Sequence, residues 1–201
     1  MSRKGYREAA DFFVKTVRLI RPHQWQMPAL GVWSVRDLVG HTSRALLIVE
    51  QFSNVTPDRV SIRDSVDYYQ RAFVGQGVNE RIAERAVQTG QDLGPKPAEA
   101  VTQLRDRVMA RVDSLQDHHP LGTLIGGISL IDYLPGRTTE LVVHTFDIAC
   151  ALDLEAQPPR EALSDTLHLL ADLALESGRG AQFAQLATGR GLGNGQFSVI
   201  G

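Results

Sequence analysis

The sequence predicts an all-α protein whose helices pack side by side as a bundle. Two observations carry this prediction. Apolar residues recur at spacings of three and four along most of the chain, which is typical of the buried face of an amphipathic helix. Glycine and proline cluster between these stretches, where they separate one helix from the next. The 201 residues are sufficient for one well-packed core, and we expect one domain over residues 1–201, without a second C-terminal domain.

The first two helices are expected before residue 55. Residues 6–20 carry an apolar stripe, and a linker rich in turn formers and aromatic residues follows it. Ser34 then has the character of an N-cap, and Asp37 three residues later gives a shorter version of the capping box. The sequence therefore predicts a second helix that runs from this cap to about Phe52.

The middle of the chain is interrupted more often. Ser61 is the expected cap of a helical segment through Ala72, and another amphipathic stretch covers residues 80–87. A longer helix is predicted over residues 98–115. Residues 118–135 are rich in glycine, proline and β-branched residues, which predicts a long loop with a short extended piece over residues 123–130.

Helical periodicity returns in the last third of the sequence. Residues 137–152 form a strong helical pattern that ends before Pro158, and Pro159 suits the first turn of the next helix. That helix is predicted over residues 160–176. The glycine-rich tail, residues 189–201, is expected to be irregular and to dock through Phe197, Val199 and Ile200.

Composition excludes several classes of function. A net charge of -2 without a dense basic run argues against a nucleic-acid partner. No apolar run approaches the roughly 18 residues that span a bilayer, and the N-terminus lacks the apolar core of a signal peptide. The single cysteine, Cys150, excludes an internal disulfide and favours a cytoplasmic location. Because Cys150 lies in an apolar run, we expect it to be a buried structural thiol.

Three polar residues fall where apolar ones are expected. His41 lies on the apolar stripe of the second helix, and His144 lies on the stripe of the helix after Arg137. Glu140 is one turn before His144, on the same face. An ionised carboxylate inside a bundle is costly unless it is paired or binds a metal. Two histidines and a glutamate, with one position left open, are typical of a catalytic zinc site.

Other interpretations of these residues remain open. A Glu–His pair four residues apart is common on helix surfaces, and an inward histidine is more often a hydrogen-bonded core residue. Asp37 and Asp147 are candidates to orient the two histidines, although a first-turn acid at Asp37 is equally expected from the helix dipole. The pair His118–His119 is expected to be exposed in a loop. Trp25 and Trp33 either pack over the end of the bundle or form one wall of a pocket.

Two blocks of the sequence resemble a known family. The first contains Trp25 and Pro28 and continues as WSVRDLVGH over residues 33–41. The second runs from Gly126 to Leu152 and includes RTTELVVH over residues 137–144. Both resemble the mycothiol-dependent maleylpyruvate isomerase family, which belongs to the DinB-like superfamily of metal-binding four-helix bundles. Residues 186–199 are similar to the ending of short members.

The resemblance implies a fold and a chemistry. It implies a DinB-like four-helix bundle with additional short helices and a long loop, in which His41, Glu140 and His144 bind zinc or another divalent metal. The open coordination position would receive water or the thiol of mycothiol. Longer members carry a second, mixed α/β domain, which is not expected within residues 1–201. We therefore expect a thiol-dependent transferase more than maleylpyruvate isomerisation itself.

The predicted function is a metal-dependent thiol S-transferase or isomerase that activates a metal-bound thiolate. Its expected partners are a low-molecular-weight thiol and a small electrophile, with no nucleic acid and no membrane; homodimer formation is left open. The alternative is a non-catalytic bundle that binds a metal or a small ligand. A third interpretation is a metal-free hydrogen-bonded network in an interaction module.

Overall fold

A computed structural model describes residues 3–72, 78–190 and 197–199 of the chain. Within these ranges the regular structure consists of helices and one β-hairpin. In chain order, the elements are α1 (Arg3–Val17), a short 3-10 helix (Pro22–Gln24), α2 (Val35–Phe52), α3 (Ser65–Ala72), α4 (Val78–Asp92), α5 (Pro97–Asp113), β1 (Pro120–Thr123), β2 (Gly126–Ser129), α6 (Leu130–Ala151), α7 (Arg160–Glu176) and α8 (Gly180–Ala187).

Four long helices enclose the hydrophobic core. Helices α1 and α2 each contact both α5 and α6, so the four elements form a closed ring around a common interior. This interior is filled by aliphatic and aromatic side chains that include Tyr6, Phe13, Leu38, Leu46, Val108 and Leu141. Outside the ring, α7 packs across α1 and α6, while α3 packs against α6 and α7. The prediction of an all-α bundle is confirmed.

Helices α2 and α4 approach each other through glycine. A Cβ atom on Gly40 of α2 would collide with the backbone of Gly90 in α4, and one on Gly90 would collide with the carbonyl of Arg36. The Arg36 side chain then donates from Nε to the carbonyl of Gly90, over 2.8 Å. The absence of side chains at the two glycines therefore allows α4 to pack directly on the helix that carries His41.

Several predicted boundaries agree with the structure. The capping box of Ser34 and Asp37 is present at the start of α2, which ends at Phe52. The predicted helices over residues 98–115 and 160–176 correspond to α5 and α7 to within two residues. Pro159 is the N-cap of α7, one residue before the helix begins.

The long loop predicted over residues 118–135 is wrong at its C-terminal end. Helix α6 begins at Leu130, and Pro135 lies inside it. The helix starts early because Ser129 caps it: the Ser129 hydroxyl accepts from the amide of Asp132 and donates to the Asp132 carboxylate. The expectation of a loop came from Pro135 and Gly136, which usually interrupt helices.

Where Pro135 and Gly136 interrupt the backbone hydrogen bonds of α6, a side chain from another helix bridges the gap. Ser65, the first residue of α3, places its hydroxyl between two backbone groups of α6. This hydroxyl donates to the carbonyl of Asp132 over 2.6 Å and accepts from the amide of Gly136 over 3.0 Å. The Asp132 carbonyl and Gly136 amide are the pair that an uninterrupted helix would join directly. A side chain inserted in this way is a recognised means of bending a helix.

The segment before α6 is a hairpin. Strands β1 and β2 are antiparallel, with Pro120 opposite Ser129, and Leu124 and Ile125 connect them. Ser61, the predicted cap of α3, instead donates its backbone amide to Gly127 of β2 over 2.9 Å. The cap of α3 is the carboxylate of Asp64, which accepts from the amide of Asp67. The predicted cap at Ser61 is therefore wrong, and α3 begins at Ser65.

The C-terminal region contains a helix that sequence periodicity missed. Helix α8 follows α7 directly and packs against it. Of the predicted docking residues, Phe197 lies with its ring 6.5 Å from that of Phe183, and Val199 packs on the cluster of Tyr69, Leu169 and Leu173. Ile200 and residues 191–196 lie outside the described residues.

Cys150 is exposed near the end of α6, so the expectation of a buried thiol was wrong. Helical geometry turns it away from the core, while its neighbours Ile148 and Ala149 face inward. No helix in the described part of the chain combines the length and apolar character needed to cross a membrane.

Replacing Ser65 by alanine is expected to lower the free energy of unfolding by about 2 kcal/mol, because one buried amide and one carbonyl of α6 lose their partner. The measurement is urea unfolding of protein treated with a chelator. Ser114→Ala is the matched control, since the Ser114 hydroxyl bonds a carbonyl at an exposed helix end and its loss should cost less than about 0.5 kcal/mol. Equal losses in the two variants would contradict the role given to Ser65.

Candidate metal centre

The three predicted ligand residues meet between α2 and α6. His41 projects from the second turn of α2, and Glu140 and His144 project from consecutive turns of α6. Asp37, considered as a residue that orients His41, instead accepts hydrogen bonds from the amide and hydroxyl of Ser34. Asp37 therefore belongs to the helix cap, and it acts on His41 only by fixing where α2 begins.

The donor atoms of these residues form a compact triangle. His41 Nε2 lies 3.1 Å from His144 Nε2 and 3.6 Å from Glu140 Oε2. The third side, from His144 Nε2 to Glu140 Oε2, measures 3.4 Å. The three side chains are largely buried, with exposed fractions between 15% and 18%.

This triangle fits a tetrahedral metal ion. Nitrogen and oxygen ligands bind zinc at about 2.0–2.2 Å, so two ligands of one tetrahedral zinc ion lie about 3.3–3.5 Å apart. The three measured separations bracket that range, and one oxygen and two nitrogen atoms are a donor set that zinc accepts. His41, Glu140 and His144 are also the one group of three or more potential ligands that converges within the described residues.

Two further side chains hold this triangle in place. His144 Nδ1 lies 2.9 Å from Asp147 Oδ2, on the side of the ring away from the other donors. Tyr69 of α3 donates its hydroxyl to Glu140 Oε1 over 2.7 Å, which leaves Glu140 Oε2 directed at the histidines. Such contacts fix the tautomer and orientation of groups that bind metals. Asp147 was a candidate from the sequence, whereas Tyr69 was not.

The electrostatics of the three groups favour a negative charge on Glu140. Burial alone would raise the pKa of this carboxyl, but hydrogen bonds with His144 and His41 and the charge of Arg137 hold the pKa well below its usual range. Burial also acts to lower the pKa of His144, yet Asp147 and Glu140 outweigh it and raise that pKa to about 9. For His41 burial prevails and lowers the pKa.

The surroundings of His41 differ from those of His144. The ring of Trp33 lies 4.8 Å from that of His41, centre to centre, so Trp33 forms a wall of the site. His41 Nδ1 is buried without a hydrogen-bond partner among the described residues. Trp25 packs against the main core. His118 is exposed, and His119 Nε2 lies 3.2 Å from the carbonyl of Ser53, so this pair stays outside the site.

A cavity of about 340 Å³ opens beside the triangle and is lined by His41 and Glu140. Its other walls come from α2, α3, α4, α6 and the tip of the hairpin, where Leu124 is 78% exposed. A volume of this size suits a small organic ligand. Sequence periodicity could not place these walls, because they come from five separate segments.

Replacing Tyr69 by phenylalanine is expected to lower the free energy of unfolding of metal-free protein by about 2 kcal/mol, since Glu140 loses a donor to its charged carboxylate. Tyr6→Phe is a matched control, because the buried Tyr6 hydroxyl bonds the neutral carbonyl of Ala45 and its loss should cost about 1 kcal/mol. Urea unfolding measures both. A loss for Tyr69→Phe no larger than that for Tyr6→Phe would refute the special role of the Tyr69–Glu140 bond.

Comparison with known proteins agrees with the resemblance described above. Residues 6–149 match the mycothiol maleylpyruvate isomerase N-terminal domain family, and this range contains His41, Glu140 and His144. Searches among curated proteins and among solved structures give no significant match. Because the family match covers well over half of the sequence, the chain belongs to the mycothiol maleylpyruvate isomerase N-terminal domain family.

Proposed function

We propose that His41, Glu140 and His144 hold one divalent metal ion, zinc in the first instance, and that the site serves a thiol-dependent transferase or isomerase. The observation that carries this proposal is the convergence of the three donor atoms, with sides of 3.1, 3.4 and 3.6 Å, at the edge of a cavity. Three protein ligands leave a fourth tetrahedral position for another molecule.

A bound divalent metal supplies Lewis acidity, which lowers the pKa of a thiol and makes the nucleophilic thiolate available at neutral pH. Family membership favours mycothiol as that thiol. Thiolate chemistry supports two reaction classes: addition to an activated double bond, as in cis–trans isomerisation, and displacement of a leaving group, as in S-transfer.

The residues of this chain contribute binding and orientation. Asp147 accepts a hydrogen bond from Nδ1 of His144. This bond holds the ring so that Nε2 stays directed toward His41 and Glu140. Tyr69 holds one oxygen of Glu140 and thereby fixes the direction of the other. Trp33 covers the His41 ring, and the partial enclosure of the three donors limits their contact with bulk water. A thiol partner and a small electrophile would then meet in the adjoining cavity.

Metal content tests the first part of the proposal. Protein purified without an affinity tag, loaded with zinc and dialysed should retain about one zinc ion per chain, whereas His41→Ala and His144→Ala should retain almost none. His119→Ala is the control and should bind as wild type does. Asp147→Asn should bind zinc with about tenfold lower affinity, because the His144 ring loses its orienting partner. Undiminished zinc in both ligand variants would exclude this site.

Conjugation of a thiol tests the second part. Zinc-loaded protein with mycothiol and the electrophile monobromobimane is expected to form the conjugate faster than the uncatalysed reaction, and a chelator should abolish the excess rate. His144→Ala, which lacks a ligand, provides the matched negative control. Rates equal to the uncatalysed ones across several thiols and electrophiles would instead support a non-catalytic bundle that binds a metal or small ligand.

A further inference from the structure

The cavity beside the three donors is strongly basic, although the chain as a whole carries a net charge of -2. Glu140 is the one acidic residue among the described residues that line it. Its cationic lining is contributed by Arg44, Arg71, Arg81, Arg85 and Arg137. Clustering of like charges around a concave site is unfavourable in the absence of a counter-charge, so this lining calls for an explanation.

Pairing within the protein accounts for only part of this charge. Arg71 is neutralised by Asp67 on the same helix, with Arg71 Nε 2.7 Å and Arg71 Nη2 2.9 Å from the carboxylate. Arg107, outside the cavity, is similarly paired with Glu50. Arg44 and Arg85 have no acidic partner within 4.0 Å in the described part of the chain. Burial and the neighbouring charge of Arg85 lower the pKa of Arg44.

Arg137 provides a second, independent observation. Arg137 is only 8% exposed, and its Nε makes no hydrogen bond to any described residue. The guanidinium lies over the ring of Tyr133 at 5.0 Å and near that of Tyr68 at 5.8 Å. These aromatic faces stabilise the cation, but they do not accept a hydrogen bond from the buried Nε, and a buried donor without an acceptor is costly. Arg137 also lines the cavity.

The positions of Arg44 and Arg137 follow from the two helices that carry the donors. Arg44 is one turn after His41 on α2, and Arg137 is one turn before Glu140 on α6. The charge of Arg137 contributes to the lowered pKa of Arg44, after burial and the charge of Arg85. The pair therefore lies to one side of the donor triangle, and Arg85 of α4 stands beside Arg44.

We infer that this cavity binds a small organic anion, with Arg44, Arg85 and Arg137 holding its acid group and Ile48, Ile82 and Leu124 contacting its apolar body. Guanidinium groups suit this role because they bind a carboxylate or phosphate through paired N–H donors. A ligand held in this way extends toward His41 and Glu140. The identification of this anion as the electrophile that reacts with the thiol rests on the proposed function. The binding of the anion itself does not.

The anion site is tested on the full chain by calorimetric titration, with benzoate, phenyl phosphate and the neutral benzamide as probes. Metal-free protein is used first, so that a carboxylate cannot bind through zinc. Benzoate or phenyl phosphate should bind at least tenfold more tightly than benzamide, and the tighter of the two identifies the acid group as carboxylate or phosphate. Raising the salt concentration should weaken the binding of both anions and leave benzamide unchanged.

Matched charge variants locate the site. The double variant Arg44→Gln/Arg85→Gln should bind the preferred anion at least tenfold more weakly, whereas Arg59→Gln/Arg160→Gln, which loses the same charge at exposed positions outside the cavity, should bind it as wild type does. Equal effects of the two double variants, or equal binding of benzamide and the anions by the unaltered chain, would overturn the inference. If Arg44→Gln/Arg85→Gln does not fold, the comparison of benzamide with the two anions on the unaltered chain still tests the inference. A chain that binds the anion but not zinc would support the anion site and contradict the metal proposal.

Discussion

The negative charge of Glu140, held between two helices, is the constraint on which the centre of this protein depends. A largely buried carboxylate is stable only when donors or cations surround it. Here they come from three helices: His41 from α2, Tyr69 from α3, and His144 with Arg137 from α6. Satisfying one carboxylate therefore fixes how α2 and α3 pack on α6. The same set of contacts places the donor atoms at the separations that a metal ion requires.

Local sequence signals predicted the helices well where caps and periodicity agreed. The capping box at Ser34 marked the start of α2, and the inward position of His41 followed from the apolar stripe that this start defines. The start of α6 was missed because Pro135 and Gly136 are poor helix residues on their own. What allows them there is the hydroxyl of Ser65, some 70 residues earlier in the chain, and no local pattern contains that information.

In the candidate site, too, local sequence patterns identify some residues, whereas others depend on packing between distant segments. His41, Glu140 and His144 could be selected from helical periodicity and from resemblance to a family, and the structure brings their donor atoms together. Tyr69 could not, because its contact with Glu140 depends on the packing of α3 against α6. Arg44 and Arg137 carried a usable signal: each is one turn from a proposed ligand, on or beside a stripe that faces the interior. A cation at such a position is rare enough to mark a functional surface.

The hydroxyl of Ser65 also bears on how the chain reaches its native state. Two consecutive positions of α6 lack their intrahelical hydrogen bond in the native state, since Pro135 has no amide hydrogen and the Gly136 amide bonds to Ser65. The first two turns of α6 therefore take part of their stability from contact with α3. Folding of this region is therefore a non-local event that joins distant parts of the chain. Glu140 is bonded to the same short helix through Tyr69, so the surroundings of this carboxylate depend on the same long-range packing.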